Sequence, residues 1–141
     1  MRISKKGLYA LEALTALTRQ YPQRPIRIHE IAEAEGIPEK FLEAILHDLK
    51  IVRIVDSLRG THGGYMLRRD PSKIFLGEII RAIDGPLAPM GDADTLRQLA
   101  KTDRKHSALY KVMLDVRNSA AGILDHTSLA DLAGNRPRHR A

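Results

Sequence analysis

Two helical patterns joined by Gly36-Ile37-Pro38 limit the folds open to this chain more than any other feature. Residues Ile28–Glu35 have the apolar spacing of a short helix, and Gly36 directly after them suits a left-handed C-terminal cap. Pro38 can open a second helix at its first turn, where the missing N–H costs nothing. Over residues 38–50 the apolar side chains then fall at positions i, i+3, i+4 and i+7, namely Leu42, Ile45, Leu46 and Leu49. This pair of helices predicts a helix-turn-helix.

The patterns on either side extend this motif. An amphipathic helix is predicted over residues 8–17, and Tyr21-Pro22 ends it. Residues 51–58 are rich in β-branched side chains, and a glycine-rich loop separates them from residues 65–68, so a β-hairpin is predicted. A fourth amphipathic helix follows and is closed by Asp84-Gly85-Pro86; its apolar residues are Leu76, Ile79, Ile80 and Ile83. We therefore predict a mainly α, winged helix-turn-helix fold with a three-helix core and a two-stranded β-hairpin wing.

The C-terminal part carries a different pattern. Residues 86–103 are predicted to be a loop and linker, because PLAPMGDAD at their start contains two prolines and no periodicity. Ser107–Leu124 is predicted to be a long helix, with four residues at the a and d sites of a short heptad seam that Ser119 interrupts. The predicted dimerisation residues on this helix are Leu109, Val112, Met113, Val116, Ala120, Ile123 and Leu124. The alternative is that the helix packs back on its own domain.

These patterns divide the chain into four predicted parts. Residues 1–85 form the winged domain, 86–103 the linker, and 104–133 the long helix together with a short closing helix. The closing helix is expected to be capped within Asp125-His126-Thr127-Ser128 and to end at Gly134. Residues 134–141 are predicted to be a basic, mobile tail.

Composition narrows the class of protein. The 141 residues are 43% hydrophobic and 28% charged, which is typical of a globular chain, and no apolar run approaches the roughly 18 residues that cross a bilayer. We therefore expect a cytoplasmic protein without a membrane partner. The net charge of +6 favours an anionic partner such as nucleic acid. Cysteine is absent, which excludes disulfides, a thiolate nucleophile and a cysteine-held metal or cluster.

In a winged helix-turn-helix the second helix of the motif enters the major groove of double-stranded DNA. Here Glu43 could accept from a cytosine amine, Lys40 could donate to guanine or phosphate, and Phe41 or Ala44 could touch a thymine methyl. For each residue the alternative is a solvated helix face, and for Phe41 a core position. The predicted major-groove residues are Pro38, Glu39, Lys40, Phe41, Glu43, Ala44 and His47.

The loop RGTHGGY supplies a second predicted contact. Its glycines let backbone N–H groups approach phosphates, and its arginine could enter a narrow minor groove; the alternative is a tight hairpin with an exposed arginine. The predicted wing residues are Arg59, Gly60, Thr61, His62, Gly63, Gly64 and Tyr65. Ahead of the first helix, Arg2, Lys5 and Lys6 are predicted to contact phosphates.

No enzyme motif competes with this interpretation. The glycine loop has neither the GxGxxG nor the GxxxxGK[ST] spacing, and it joins two strands instead of opening a helix. The six histidines show no HExxH or other close ligand pairing, although a metal site assembled across a dimer stays open. We predict no enzymatic activity, no cofactor and no metal within the chain.

Several stretches together resemble the Rrf2 family of bacterial repressors. They are ISKKGLYAL from Ile3, EIA with GI and FLE between Glu30 and Glu43, SLRG with GGY from Ser57, and LGEIIRAIDGP from Leu76. TSLADL near the end is similar to the family's closing helix. The resemblance implies a homodimer held by the long helix, two winged domains reading a palindromic operator, and control by an effector. It also implies that Glu43 reads a base, that Lys40 and Phe41 flank it, and that Arg59 enters the minor groove.

The sequence departs from the family pattern at three places. Thr61 and His62 replace a proline and a glycine of the usual wing RGPGGGY; His62 either adds a phosphate contact or tolerates a positive φ. Phe75 stands where the family often has a threonine that caps the fourth helix, so this cap is expected to be lost or moved. Cluster-binding members place three cysteines between Pro86 and Tyr110, and this chain has none, so thiolate-held clusters are chemically excluded.

These observations predict a sequence-specific DNA-binding transcriptional regulator, a homodimeric repressor that binds a palindromic operator without an iron–sulfur cluster. The alternative is a co-regulator or protein-binding module whose main partner is another protein. The effector stays open between a small molecule, a partner protein and none.

Overall fold

The computed structural model describes residues 2–87 and 91–134. Within these ranges the chain is mainly helical, with one two-stranded antiparallel sheet. The elements in chain order are α1 Lys5–Gln20, α2 Ile28–Glu35, α3 Glu39–Ile51, β1 Val55–Leu58, β2 Gly64–Leu67, α4 Leu76–Asp84, α5 Ala93–Thr102, α6 Ser107–Leu124 and α7 Leu129–Ala133. The predicted winged helix-turn-helix is confirmed.

The three-helix core forms as the apolar spacing predicts. All four inward residues predicted on α3, from Leu42 to Leu49, are fully buried, and Ala10, Ala13 and Leu14 of α1 pack in the same cluster. Gly36 ends α2 with φ 67°, in the left-handed region that glycine adopts without steric cost. Pro38 lies one residue before α3, as its N-cap.

Helix α1 begins earlier than its apolar pattern. Ser4 is the N-cap and its hydroxyl oxygen accepts a hydrogen bond from the Gly7 N–H at 3.0 Å. The Asp84 carboxylate at the end of α4 accepts from the Ser4 N–H at 2.9 Å and from the Ser4 hydroxyl. The basic start of the chain is therefore held against the fourth helix.

The first strand is shorter than predicted. Ile51 belongs to α3, and the strand begins at Val55, paired with Leu67 across the hairpin. The residues between form the helix end, where the Val52 N–H donates to Asp48 O at 3.2 Å and Arg53 has a φ of 64°. The prediction of a strand from residue 51 was wrong because β-branched side chains are also tolerated in the last turn of a helix.

The missing cap of α4 is replaced from a distant part of the chain. Phe75, the N-cap residue, makes no side-chain capping bond. The Leu76 N–H instead donates to Thr127 O at 2.9 Å, and Phe75 pairs with Ser128 in an isolated β-bridge. The start of α4 is thus capped by the segment that leads into α7.

The segment predicted as loop and linker, 86–103, contains the helix α5. Asp92 caps this helix by accepting from the Thr95 N–H at 2.9 Å, and Leu96 is fully buried. The prediction was wrong because Leu96 is the only buried residue of this ten-residue helix, so its apolar period is too weak to detect from sequence.

Helix α6 has the predicted bounds, and α7 follows it with a capping box between Ser128 and Asp131. The predicted tail, from residue 135 onward, lies outside the described residues. In the described ranges no helix is both long and apolar enough to cross a membrane.

Candidate nucleic-acid interface

The outward face of α3 presents every residue predicted for the major groove. All seven predicted side chains are exposed, while the opposite face of the same helix is buried. Phe41 is 42% exposed, so it is not a core residue. The polar atoms of Glu43, Lys40 and His47 are therefore free to reach outward from a rigid, well-packed helix.

An aromatic contact fixes Phe41 against the first helix. The rings of Phe41 and Tyr9 meet edge to face, with centroids 5.4 Å apart and an interplanar angle of 85°. The ammonium nitrogen of Lys5 lies 5.5 Å from the centroid of the Tyr9 ring. These contacts bring the basic start of α1 to the edge of α3, beside the residues that are predicted to contact bases.

The three basic residues predicted to bind phosphate have different surroundings. Arg2 and Lys5 are exposed. Lys6 forms an ion pair with Asp48 of α3, with Nζ 2.6 Å from Oδ2. Because a neighbouring carboxylate offsets the Lys6 charge, Arg2 and Lys5 are the stronger candidates for phosphate contact.

A cleft runs between α3 and the wing. Its lining residues are Lys40, Glu43, Ala44, His47, Asp48 and Tyr65. Tyr65 is half-buried and packs against the core cluster, so it bridges the return strand of the wing and the core. Four of the predicted major-groove residues, Lys40, Glu43, Ala44 and His47, therefore share one concave surface with Tyr65 of the wing.

The wing tip is a tight turn. The Gly63 N–H donates to Gly60 O at 3.0 Å, and Gly60 has a φ of 99°. Gly63 is buried, and a Cβ on it would lie 2.4 Å from Leu58 O, so only glycine fits. Arg59, Thr61 and His62 are exposed. In the described part of the chain Arg53 alone among non-glycine residues has a positive φ, so that explanation for His62 does not hold.

The wing is attached to the segment that precedes α2, which sequence reasoning missed. Ile26 and Tyr65 exchange two backbone hydrogen bonds of 2.8 Å, so Ile26 forms a one-residue bridge on the outer edge of β2. Gly64 permits this approach, because a Cβ there would lie 2.5 Å from the Ile26 carbonyl. Nη2 of Arg27 donates to Gly60 O at 3.3 Å and also to Thr61 O. No local sequence pattern signals these contacts.

The predicted dimerisation residues of α6 fall into two groups. Leu109, Val112, Val116 and Ile123, the four seam residues, each expose 39 to 54% of their surface. The other three, Met113, Ala120 and Leu124, are half-buried, and Leu124 packs against the core of its own chain. The long helix thus packs on its own chain with one stripe and exposes a second apolar stripe, which we call the α6 seam.

An ion pair joins α6 to the winged domain. The Arg81 guanidinium donates two hydrogen bonds to the Asp125 carboxylate, of 2.6 and 2.8 Å. These bonds lower the pKa of Asp125 against the opposing effect of burial, and they raise the pKa of Arg81. Gly77 leaves room for the pair, because a Cβ there would lie 1.9 Å from the Asp125 Oδ1 atom.

Comparison with known proteins gives one consistent family. A family model described as Rrf2, iron-dependent transcriptional regulator, matches residues 3–135. The chain is 36% identical to an HTH-type transcriptional regulator of Mycobacterium tuberculosis, over all of this chain and 87% of that protein. It is 31% identical to the HTH-type transcriptional regulator CymR of Bacillus subtilis, over 94% of this chain and 90% of that protein.

Solved structures agree with these matches. The structure of CymR, described as the global cysteine regulator of B. subtilis, is similar with a TM-score of 0.81 at 30% identity, covering 96% of this chain and 98% of that one. The structure of IscR from T. potens is similar with a TM-score of 0.66 at 28% identity, covering 96% and 88%. The described fold is thus that of helix-turn-helix regulators over nearly its full length.

The description of the family as iron-dependent implies a metal. The side chains of this chain do not fit a metal that is held by thiolates. The whole sequence has no cysteine, so no sulfur ligand exists for a cluster. Within residues 2–87 and 91–134, no group of three or more His, Cys, Asp and Glu side chains is arranged to hold a metal ion.

Proposed function

The chain belongs to the Rrf2 family of transcriptional regulators, and from that premise we propose that it is a homodimeric repressor of a palindromic operator. Residues 1–85 read the DNA, residues 86–103 join the two parts, and residues 104–133 hold the dimer. A regulator of this kind acts in the cytoplasm, where bacterial DNA lies. The proposal contains no catalytic step and no thiolate-held cluster.

The observation that carries the proposal is the cleft between α3 and the wing. Glu43, Lys40 and His47 stand on one side of it, and the return strand at Tyr65 stands on the other. An α-helix fits the major groove, and a hairpin beside it reaches the neighbouring minor groove or backbone. Lys40 and Arg59 have no ion pair within the described residues, so their charges are available to the DNA.

The homodimer is supported by the α6 seam. Four exposed large apolar residues on one face of one helix are unusual on a monomer, and heptad spacing suits pairing with a second copy. In a dimer with two-fold symmetry the two copies of α3 are related by the same axis, so an operator bound by both has matching symmetry.

The experiment that tests the proposal is selection of operator sequences from a random pool of double-stranded DNA by the full-length protein. We expect enrichment of a palindrome with half-sites about one helical turn apart. Binding measured from 50 to 200 mM salt should fall steeply, because several phosphates are neutralised by Lys and Arg. A scrambled site of the same composition is the control. Recovery of no shared sequence after several rounds would contradict the proposal.

The direction of regulation needs a separate measurement. A reporter whose promoter overlaps the selected operator should be expressed less when the protein is present. The same reporter with the operator scrambled should not respond. Increased expression from the intact operator would make the protein an activator.

A further inference from the structure

The wing tip of this chain has few internal restraints. The hairpin consists of two four-residue strands, and an isolated hairpin of this size is at best marginally stable in water. Its tip, Gly60-Thr61-His62, has no proline to restrict φ, and one internal backbone bond closes it. The side chain of Arg59, next to this tip, would sample many positions unless a contact from outside the hairpin held the tip.

The Arg27 side chain makes that contact. Its Nη2 atom donates to two successive carbonyl oxygens of the tip, Gly60 O at 3.3 Å and Thr61 O. A hydrogen bond from an ionised donor is roughly twice as strong as a neutral one. Because one nitrogen donates to two successive carbonyls, it restrains the orientation of both the Gly60–Thr61 and the Thr61–His62 peptides, close to Arg59.

The Arg27 guanidinium is not committed to any carboxylate in the described part of the chain. Glu30, the acid nearest in sequence, pairs with Arg24 at 3.2 Å and accepts only the backbone N–H of Arg27, at 3.4 Å. The arginine charge is therefore available to the wing carbonyls.

The contact also links the wing to the helix-turn-helix. Arg27 is the N-cap residue of α2, and its neighbour Ile26 is bonded to Tyr65 at both backbone positions. The base of the return strand and the tip of the wing are thus tied to one short segment, which leads directly into the motif that carries α3. Motion of the wing relative to α3 would have to break both attachments.

We propose that Arg27 is a positioning residue for DNA reading, which clamps the wing tip so that Arg59 is held at a fixed place relative to α3. The inference rests on the proposed function for its purpose, but the clamp itself is a property of the free protein. Arg27 acts through Arg59 and makes no essential DNA contact of its own.

The first test uses the free protein and no DNA. The variant Arg27→Met keeps the aliphatic stem and removes the donors, and the matched control is Arg104→Met, an exposed arginine between α5 and α6. We expect tryptic cleavage after Arg59 to become about tenfold faster in Arg27→Met, as for loss of roughly one charge-assisted hydrogen bond, with the control unchanged. Equal cleavage rates at this site in the unaltered protein and Arg27→Met would overturn the clamp. Cleavage rates at sites in α5 and α6 check that the variant is folded.

The second test measures coupling on the selected operator. Arg27→Met and Arg59→Ala are each expected to weaken binding by about tenfold, and the double variant is expected to bind no more weakly than Arg59→Ala alone. Losses that multiply in the double variant would mean that Arg27 acts independently, as a phosphate contact, and would overturn the inference. Arg27→Lys keeps the charge but not the planar fork, so it should recover only part of the loss.

The two tests separate the inference from the function on which it rests. If the unaltered protein selects no operator, the proposed function fails, while the tryptic result still decides whether Arg27 holds the wing. If the operator is found but Arg27→Met binds it as tightly as the unaltered protein, the positioning role fails and the proposed function stands.

Discussion

Helices α3 and α6 are both amphipathic, but their exposed faces have opposite chemical character. Each buries one stripe against its own chain and exposes the other. The exposed face of α3 is mostly polar and charged, with Glu43, Lys40 and His47 outward, whereas the exposed face of α6 carries the seam of four large apolar residues. The charged face is well solvated, whereas the apolar face is costly to leave in water. The polar face suits hydrogen bonds to the edges of bases, and the apolar face suits a second copy of the same helix.

The two helices also depend on each other for tight binding to an operator. One winged domain offers a single recognition helix to one half-site. Pairing through the α6 seam would place two recognition helices in one assembly, so that binding of the second half-site becomes intramolecular. The following predictions test whether the faces have these two separate roles.

The largest effect is expected from a charge in the seam. Val116→Glu places a carboxylate at the centre of an apolar interface, where it has no partner, so the protein should be monomeric by light scattering. Operator affinity should fall by about 10²- to 10⁴-fold, because the two half-sites are then bound separately.

The control for this variant is Asn118→Glu, which adds the same charge at an exposed position of α6 outside the seam. It should remain a dimer. A dimer of unchanged affinity in Val116→Glu would show that the seam is not the interface and that the apolar face of α6 has another occupant.

A smaller effect is expected at the wing. Arg59→Ala should weaken operator binding by about 1 to 3 kcal/mol, with the dimer intact, because a single groove contact is lost. Fluorescence anisotropy on the selected operator gives the affinity. Lys101→Ala removes the same unit charge from an exposed position of α5 and should change affinity little. Equal affinities for Arg59→Ala and the unaltered protein would remove the wing from the interface.

Glu43 should contribute to the choice between bases more than to the overall affinity for DNA. A carboxylate can select cytosine, but it repels phosphate, so Glu43→Ala should lose about 1 to 3 kcal/mol of preference at one base position. Its binding to unrelated DNA should stay equal or rise, because a negative charge has gone. Repeating the operator selection with the variant checks this, with Glu33→Ala of the exposed α2 surface as control. Unchanged preference at every position would contradict a base-reading role.

The two helices were also the parts of the fold most visible in the sequence. Four apolar residues at strict helical spacing, preceded by Gly36 and Pro38, define α3, and a seven-residue stripe defines α6. Helix α5 was missed because only one of its residues, Leu96, is buried. Local periodicity is informative where a helix buries a wide stripe, and uninformative where it buries a narrow one.

The candidate site was predictable only in part, for a different reason. The exposure of residues on α3 and on the wing can be predicted, because the apolar pattern shows which positions the core uses and which it leaves to solvent. The attachments of the wing do not, because Arg27 meets Gly60 across 33 positions of the chain. The cap of α4 is similar, since its acceptor Thr127 O comes from the far end of the described chain. Contacts between distant segments have no signature in local composition or spacing.

The smallest effect is expected at the ion pair of Arg81 and Asp125, which links α6 to the winged domain. Asp125→Asn should lower the free energy of unfolding by about 1 kcal/mol at pH 7, a modest value because both side chains are about one-third exposed and water screens them. The pKa of Asp125 is lowered in the folded state. Its contribution to stability is therefore present above the pKa of the unfolded chain, about 3.9, and is lost as pH falls through the lower pKa of the folded state. The difference between variant and unaltered protein should therefore shrink below about pH 4.

Urea denaturation at pH 7, 5 and 3.5 measures this difference, at one protein concentration because a dimer's stability depends on it. Asp94→Asn is the matched control, since Asp94 pairs with Arg97 in α5 but its side chain is 94% exposed, and it should change stability by less than about 0.5 kcal/mol. A difference for Asp125→Asn that stays constant down to pH 3.5 would mean that its carboxylate charge is not what joins α6 to α4. In that case the orientation of the seam relative to α3 would depend on apolar packing, such as that of Ala121 against Ile80 and Leu87.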